Sequence, residues 1–158
     1  MARRIDYYDD PGAPEVNSMV PSVNVVVTNS AGEVLLIRRS DNGNWAFPGG
    51  AIDLGESMVQ AAVRETREET GIDCEVTGLV GIYTDPRHVI LYTSNGEARQ
   101  EFSIVLTGRA TGGEPTTSEE SSEVRWVPRV ELGGYAMDRS MRLRIEHYLE
   151  GRAAPYLG

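Results

Sequence analysis

Short apolar runs recur along the chain and predict a sheet of several strands. The valine-rich run Val23–Thr28 is joined by the turn Asn29–Gly32 to a second run, Glu33–Arg39. β-Branched residues on both sides of an Asn/Gly turn are typical of a hairpin. The remaining runs predict a short extended piece and four more strands: Trp45–Pro48, Cys74–Thr84, His88–Thr93, Glu101–Arg109 and Glu123–Val127.

Two segments have the residue spacing of helices. Met58–Thr70 contains neither Gly nor Pro, Ser57 and Gln60 have the spacing of a capping box, and Gly71 is placed to end the helix. A second amphipathic helix is predicted from Arg139 to Glu150. The residues expected to pack on the sheet are Val59, Ala62, Val63, Thr66 and Thr70 in the first helix, and Met141, Leu143, Ile145, Tyr148 and Leu149 in the second.

The order of these elements predicts one α+β domain, with helices packed on a mixed sheet. Residues 1–20 are polar and contain Pro, Gly and Asp, so we expect an N-terminal arm with little regular structure. Residues 21–150 form the predicted domain. Residues 151–158 are expected to be a loose C-terminal tail.

The charge of the chain is concentrated in two segments. It has 24 acidic residues and 15 basic ones, all arginine, for a net charge of −9. Residues 53–75 carry a net −5 and residues 114–123 a net −4, so the rest is neutral. This balance argues against nucleic-acid binding. No apolar run is long enough to predict a membrane span or a secretory signal, and Cys74 has no cysteine partner, so we expect a cytoplasmic protein.

The first helix carries three glutamates on one face. Glu65, Glu68 and Glu69 are three and four positions apart, and like charges at this spacing repel each other. One interpretation is a solvated face with ion pairs to Arg64 and Arg67. The other is a site for a divalent cation, because Mg²⁺ prefers oxygen ligands and binds through a few carboxylates together with substrate phosphates.

The wider pattern favours the cation site. Gly50, Glu56, Arg64-Glu65, Glu68-Glu69 and Gly71 have fixed spacings, and apolar Ile72 follows them. This segment, GAIDLGESMVQAAVRETREETGI at 50–72, resembles the signature box of the Nudix hydrolase superfamily, although Thr66 replaces the bulky apolar residue that the family prefers. The resemblance implies an α/β/α sandwich, a mixed sheet flanked by helices, over about residues 20–150.

The resemblance also implies residue roles and a cofactor, Mg²⁺ or Mn²⁺. The metal ligands would be the carboxylates of Glu65, Glu68 and Glu69, together with the carbonyl of Gly50. Glu56, Arg64 and Glu68 would be catalytic: Arg64 would orient a helix glutamate, and Glu56 would support the water around the metal. Family members take the general base from the box or from a later loop, where Glu119, Glu120 and Glu123 are available here. We choose Glu120.

The substrate would be a small molecule linked to a nucleoside diphosphate. Its contacts are expected from Trp45, Arg87 and only one of Arg38 and Arg39, because strand side chains alternate. Of the two, Arg39 is preferred. Pro86, 14 residues beyond Ile72, slightly favours an ADP-ribose-type substrate by family analogy. The alternative is a (d)NTP pyrophosphohydrolase of MutT type. A non-catalytic sensor fits less well because every box carboxylate is present. The resemblance is also compatible with a homodimer.

Overall fold

A mixed β-sheet lies between two α-helices in the computed structural model, which describes residues 3–158. The strands are β1 (Arg4–Tyr8), β2 (Ser18–Met19), β3 (Ser22–Thr28), β4 (Val34–Arg39), β5 (Trp45–Ala46), β6 (Gly49–Ala51), β7 (Ile72–Tyr83), β8 (His88–Tyr92), β9 (Glu97–Gln100), β10 (Ser103–Gly113), β11 (Ser121–Val127) and β12 (Tyr156–Leu157). The helices are α1 (Met58–Thr70), α2 (Arg139–Glu150) and a 3₁₀ helix (Arg129–Gly134).

The main sheet has the strand order β11-β4-β3-β10-β7-β12, with β5 paired to β4 and β6 to β3. Its β10–β3 and β12–β7 pairs are parallel, and the other neighbours are antiparallel. A smaller sheet has the order β1-β8-β9-β2. The predicted α+β class is therefore confirmed, with α1 packed on one side of the main sheet and α2 on the other.

Helix α1 begins and ends where its capping residues predict. The Oγ of Ser57 accepts a hydrogen bond from the backbone N–H of Gln60, and the Gln60 side chain accepts one from the N–H of Ser57. Gly71 ends the helix at φ 74°, a left-handed conformation that glycine adopts without steric cost. Of the residues predicted to pack on the sheet, Ala62, Thr66 and Thr70 are buried, which confirms the prediction for them. The prediction is wrong for Val59, which is 42% exposed.

Helix α2 also has its predicted bounds, but its buried face is more polar than expected. Met141 and Ile145 pack into the core, whereas Leu143 is largely exposed. Arg144 and His147 are buried instead. The apolar pattern thus located the helix but did not identify the two polar residues on its inner face.

Two predictions about irregular segments and one about the bounds of a strand are wrong. The arm contains β1 and β2, which pair with β8 and β9 at the two edges of the smaller sheet. The tail contains β12, which pairs with β7, and the Tyr156 ring stacks near those of Tyr83 and His147. The segment expected to be one strand, Glu101–Arg109, includes the connection between β9 and β10, and β10 continues to Gly113. Within residues 3–158, no helix is long and apolar enough to cross a membrane.

Candidate active site

Gly49 and Gly50 form the segment called here the box loop, which packs directly against β3 and against helix α1. Strand β6 pairs with β3 through Gly49 and Gly50. A Cβ at Gly49 would lie 2.0 Å from the carbonyl oxygen of Val23, and a Cβ at Gly50 would lie 2.5 Å from Oε1 of Glu65. Both distances are shorter than any allowed contact, so only glycine fits at these positions without movement. The Gly50 backbone and the Glu65 carboxyl group are therefore close neighbours.

Glu65 and Glu69 form a buried carboxyl pair beneath this loop. The backbone N–H of Gly49 donates to Oε1 of Glu69 at 3.1 Å, and Glu69 is only 4% exposed. Burial, together with the charges of Glu65 and Glu120, raises the pKa of Glu69 to about 9, although the hydrogen bond from Gly49 acts in the opposite direction. Burial also raises the pKa of Glu65. Glu69 therefore keeps its proton at neutral pH beside the carboxyl group of Glu65.

Arg64 connects the helix to the loop before it. Its Nε donates to Glu56 at 2.9 Å, and its Nη atoms contact Glu56, Glu65 and Glu68. It also donates to the backbone carbonyl of Ala51 at 3.2 Å. The bidentate Arg64 contact lowers the pKa of Glu56 to about 2. Arg64 and Glu56 thus form an ion pair that fixes the side-chain direction of Glu65.

The structure does not bring Glu68 to the carboxyl pair. Its carboxylate lies 3.2 Å from Nη1 of Arg64 and is mostly exposed. Among residues 3–158, no three acidic, histidine or cysteine side chains are grouped closely enough to hold an ion. The three carboxylates are therefore not gathered into one cluster in this arrangement, and the ligand set of Glu65, Glu68 and Glu69 stays a prediction. A rotation of about 100° per residue places these side chains on one helix face, but Arg64 draws Glu68 to the outer edge of that face.

The carboxyl pair nevertheless fits a divalent cation. Glu65 and Glu69 supply hard oxygen ligands, and Mg²⁺ commonly binds through one or two carboxylates with the rest of its shell from water and substrate phosphates. A bound divalent cation would also take the place of the proton that Glu69 retains in this environment. Glu65, Glu69 and the adjoining Gly50 backbone are the residues that would hold it.

Glu69 lines a cleft of about 240 Å³, called here the box cleft, together with Gly49, Gly50, Glu120 and Arg39. Glu120 lies in the connection before β11, and its charge acts on Glu69. Arg39 pairs with Asp41 through two bonds of 3.0 and 2.6 Å. The structure thus places Glu120 and Arg39, both expected from the sequence, beside the box carboxylates.

Other candidates point elsewhere. Arg38 pairs with Glu123 at 3.0 Å, which keeps both side chains away from the cleft. Arg87 pairs with Asp85 and lines a separate cavity next to α2. Trp45 packs edge-on against Tyr135 in the core, with ring centroids 5.0 Å apart. The structure does not bring Arg87 and Trp45 to the cleft as expected, because an ion pair holds one and core packing holds the other.

Sequence reasoning did not find several other residues that line the cleft: Arg4, Asn24, Arg99 and Arg144. Arg4 lies in the segment predicted to be irregular, and Arg144 lies on a helix face predicted to be apolar. Only the mixed polarity of α2, with arginine at an inner position, could have indicated Arg144 in advance.

Comparison with known proteins identifies the family. Residues 19–148 match the family model described as the NUDIX domain, which covers most of the chain. The chain belongs to the Nudix family. It is a Nudix hydrolase, and the predicted membership is confirmed.

Nudix relatives of this chain are named for different activities. The chain is 34% identical over 145 residues to a MutT-like protein of Streptomyces ambofaciens, covering 92% of this chain and 84% of that protein. It is 34% identical to a putative 8-oxo-dGTP diphosphatase of Bacillus subtilis over 65% of this chain and 62% of the relative. It is 35% identical to an ADP-ribose pyrophosphatase of Methanocaldococcus jannaschii over 67% of this chain and 60% of the relative.

The chain spans only about three fifths of the length of the Bacillus subtilis and Methanocaldococcus jannaschii relatives.

Among solved structures, a MutT protein of Methanosarcina mazei Go1 is similar at 26% identity with a TM-score of 0.69. The match covers 89% of this chain and 100% of that one. The main sheet and its two helices are thus the Nudix fold.

Proposed function

We propose that this Nudix hydrolase cleaves the diphosphate linkage of nucleoside diphosphate derivatives, with Mg²⁺ or Mn²⁺ as cofactor, in the box cleft. The observation that carries the proposal is the convergence of the Glu65–Glu69 carboxyl pair on the Gly49–Gly50 loop, with Glu120 lining the same cleft as Glu69. A metal bound there would neutralise phosphoryl oxygens and lower the pKa of a water molecule.

The residues of the chain have distinct parts in this reaction. Glu65 and Glu69, with the Gly50 backbone, hold the cofactor, and Arg64 with Glu56 keeps Glu65 in position. Their bidentate pairing is expected to lock the rotamer of Arg64, as positioned catalytic groups require.

Glu120 is proposed as the general base, since it is the loop glutamate that lines the cleft with Glu69. Its carboxylate would take a proton from the attacking water. Arg39, whose Nη1 takes no part in its two bonds to Asp41, would contact a substrate phosphate. Glu68, whose carboxylate contacts Arg64, is proposed as the third metal ligand and as a catalytic residue, as the box pattern predicts.

Within this class we favour an ADP-ribose-type nucleoside diphosphate sugar. The support is the position of Pro86, in the turn before β8, and the ADP-ribose pyrophosphatase among the relatives. A (d)NTP substrate is the second candidate, favoured by the relatives that are named MutT-like and putative 8-oxo-dGTP diphosphatase.

Product identification separates the two. The protein is incubated with Mg²⁺ or Mn²⁺ and ADP-ribose, dGTP or 8-oxo-dGTP, and the products are resolved by chromatography. AMP with a sugar phosphate supports the first substrate class, whereas a nucleoside monophosphate with pyrophosphate supports the second. No metal-dependent product from any member of the panel would contradict the proposal.

A further inference from the structure

Arg144 is a buried arginine with one donor left unused. Its side chain is 7% exposed, yet it lines the box cleft. Nη1 donates to Oδ1 of Asn24, and Nη2 donates to Oε1 of Glu101. Nε has no hydrogen-bond partner among residues 3–158. A buried N–H without an acceptor is costly, so this donor is a site where a ligand acceptor would be stabilising.

The neighbours of Arg144 hold its guanidinium in one place. The guanidinium carbon lies 5.3 Å from the centre of the Tyr83 ring, a distance at which a cation is attracted to the ring face. Asn24 connects it to the box loop, because a Cβ at Gly49 would lie 2.6 Å from Nδ2 of Asn24. Arg144 is therefore joined through one side chain to the loop that carries the metal site.

A buried chain of charges supports Arg144 from the other side. Glu101, which accepts from Arg144, also lies 3.2 Å from Nδ1 of His88. Nε2 of His88 lies 2.8 Å from Asp6, and Asp6 accepts from Nε of Arg4 at 2.7 Å. Arg4 lines the cleft as well, so both ends of the chain reach it. This chain links the N-terminal strand to helix α2 and rigidifies the wall between them.

We infer that Arg144 is a specificity-determining residue, whose Nε–H donates to an oxygen acceptor on the nucleoside part of the substrate, and that Glu101 and Asn24 position it. The inference rests on the proposed function. The charge of Arg144 is already compensated by Glu101, which favours a neutral hydroxyl or carbonyl oxygen as the acceptor. The phosphates would lie near Glu69 and Arg39, which line the same cleft.

The test compares Arg144→Lys with Arg142→Lys, a matched change two positions earlier on α2. Lysine keeps the positive charge but lacks the guanidinium group, so it has no Nε–H held in a fixed plane. Arg142 donates to the carbonyls of Leu132 and Tyr135, so its replacement does not alter the box cleft. Binding of AMP, GMP and inorganic pyrophosphate to the Mg²⁺-loaded proteins is measured by calorimetry.

Arg144→Lys is expected to weaken AMP or GMP binding by about tenfold, as loss of a hydrogen bond to a buried charged donor would, and to leave pyrophosphate binding unchanged. It should raise KM for the hydrolysed substrate with little change in kcat, and Arg142→Lys should change neither. Unchanged binding of the nucleotides, equal weakening of pyrophosphate, or failure of the wild type to bind AMP and GMP would overturn the inference.

A second variant covers the case in which Arg144→Lys does not fold. The double variant Arg144→Gln, Glu101→Gln removes both charges together, so that neither is left buried without a partner. Like Arg144→Lys, the double variant is expected to bind AMP and GMP more weakly and to bind pyrophosphate as the wild type does. Unchanged binding of AMP and GMP by the double variant would also overturn the inference. A wild type that binds AMP but hydrolyses nothing in the panel would refute the proposed function alone.

Discussion

The backbone N–H of Gly49 donates a 3.1 Å hydrogen bond to the side chain of Glu69, although the two residues are 20 positions apart. This bond joins the box loop to the inner face of α1. It also holds the Glu69 carboxyl group beside that of Glu65, in a position from which water is largely excluded. The bond alone does not offset the burial of a negative charge, so Glu69 retains a proton at neutral pH.

The first prediction concerns the stability of the metal-free protein. A carboxyl group whose pKa is raised from 4.5 to about 9 keeps its proton in the folded state and loses it in the unfolded state over this range. The free energy of unfolding should therefore fall as the pH rises from about 5 to about 9. Glutamine at 69 cannot ionise, so Glu69→Gln should remove most of this fall. Urea unfolding with EDTA at pH 6 and pH 8.5 measures it.

The control is Glu75→Gln, which removes an exposed carboxylate paired with Arg109. It should keep the pH dependence of the wild type. An equal fall in Glu69→Gln and in the wild type would show that Glu69 is not the protonated group.

The second prediction concerns the close approach of Gly50 to Glu65. Gly50→Ala would place a Cβ 2.5 Å from Oε1 of Glu65, so the carboxyl group must move. A displacement of this size at a reacting centre can cost about a hundredfold in rate, and we expect kcat to fall by at least about tenfold. Gly133→Ala is the control, since its Cβ would meet nothing within 4 Å. Comparable kcat values for the two variants would refute the assigned role of the loop.

The third prediction tests the general base. Glu120→Gln should lower kcat by more than about tenfold, since loss of a positioned base removes at least this factor. Glu123→Gln is the matched control from the same region, because Glu123 pairs with Arg38 and Arg125 away from the cleft. Steady-state rates at saturating substrate measure both. Normal turnover in Glu120→Gln would exclude it as the base.

The fourth prediction concerns His88. Burial opposes its charged form, but the hydrogen bond to Asp6 and the negative charge of Glu101 outweigh burial and raise its pKa. Its charged pairs therefore contribute stability that is fully present below about pH 6.5 and is lost as the pH rises through the raised value. The loss of Tm caused by His88→Gln should accordingly be larger at pH 6.5 than at pH 9, with Mg²⁺ present throughout.

His147→Gln provides the comparison. Burial lowers the pKa of His147, which hydrogen-bonds to the hydroxyl of Tyr83, so its contribution is constant above pH 6.5. A Tm difference for His88→Gln that is equally constant between pH 6.5 and pH 9 would contradict a charged His88.

The elements that could be predicted from sequence are those whose signals are local. The bounds of α1 follow from Ser57, Gln60 and Gly71, and the residue spacing of the box is enough to indicate the family. Strands β1 and β12 could not be predicted, because their short segments become strands only by pairing with β8 and β7. Local propensity is a weak guide where tertiary pairing decides the conformation.

The site was predictable to a similar degree. Helix periodicity places Glu65, Glu68 and Glu69 on one face, but it cannot show that Arg64 would draw Glu68 outward. The contact of Arg144 with Glu101 joins residues 43 positions apart, and that of His88 with Asp6 joins residues 82 apart. No spacing rule connects such residues, so this wall of the cleft is visible only in the folded chain.

The most direct test of the Glu65–Glu69 site is the Mg²⁺-dependent hydrolysis rate of Glu69→Gln, measured on the substrate that the wild type cleaves, with Glu75→Gln as the control. We expect kcat to fall by about a hundredfold or more, because several kcal/mol of metal stabilisation are lost. Glu69→Gln should remain folded, and Glu75→Gln should retain wild-type activity. A Glu69→Gln variant with kcat within about threefold of the wild type would contradict the account, since that factor is less than 1 kcal/mol.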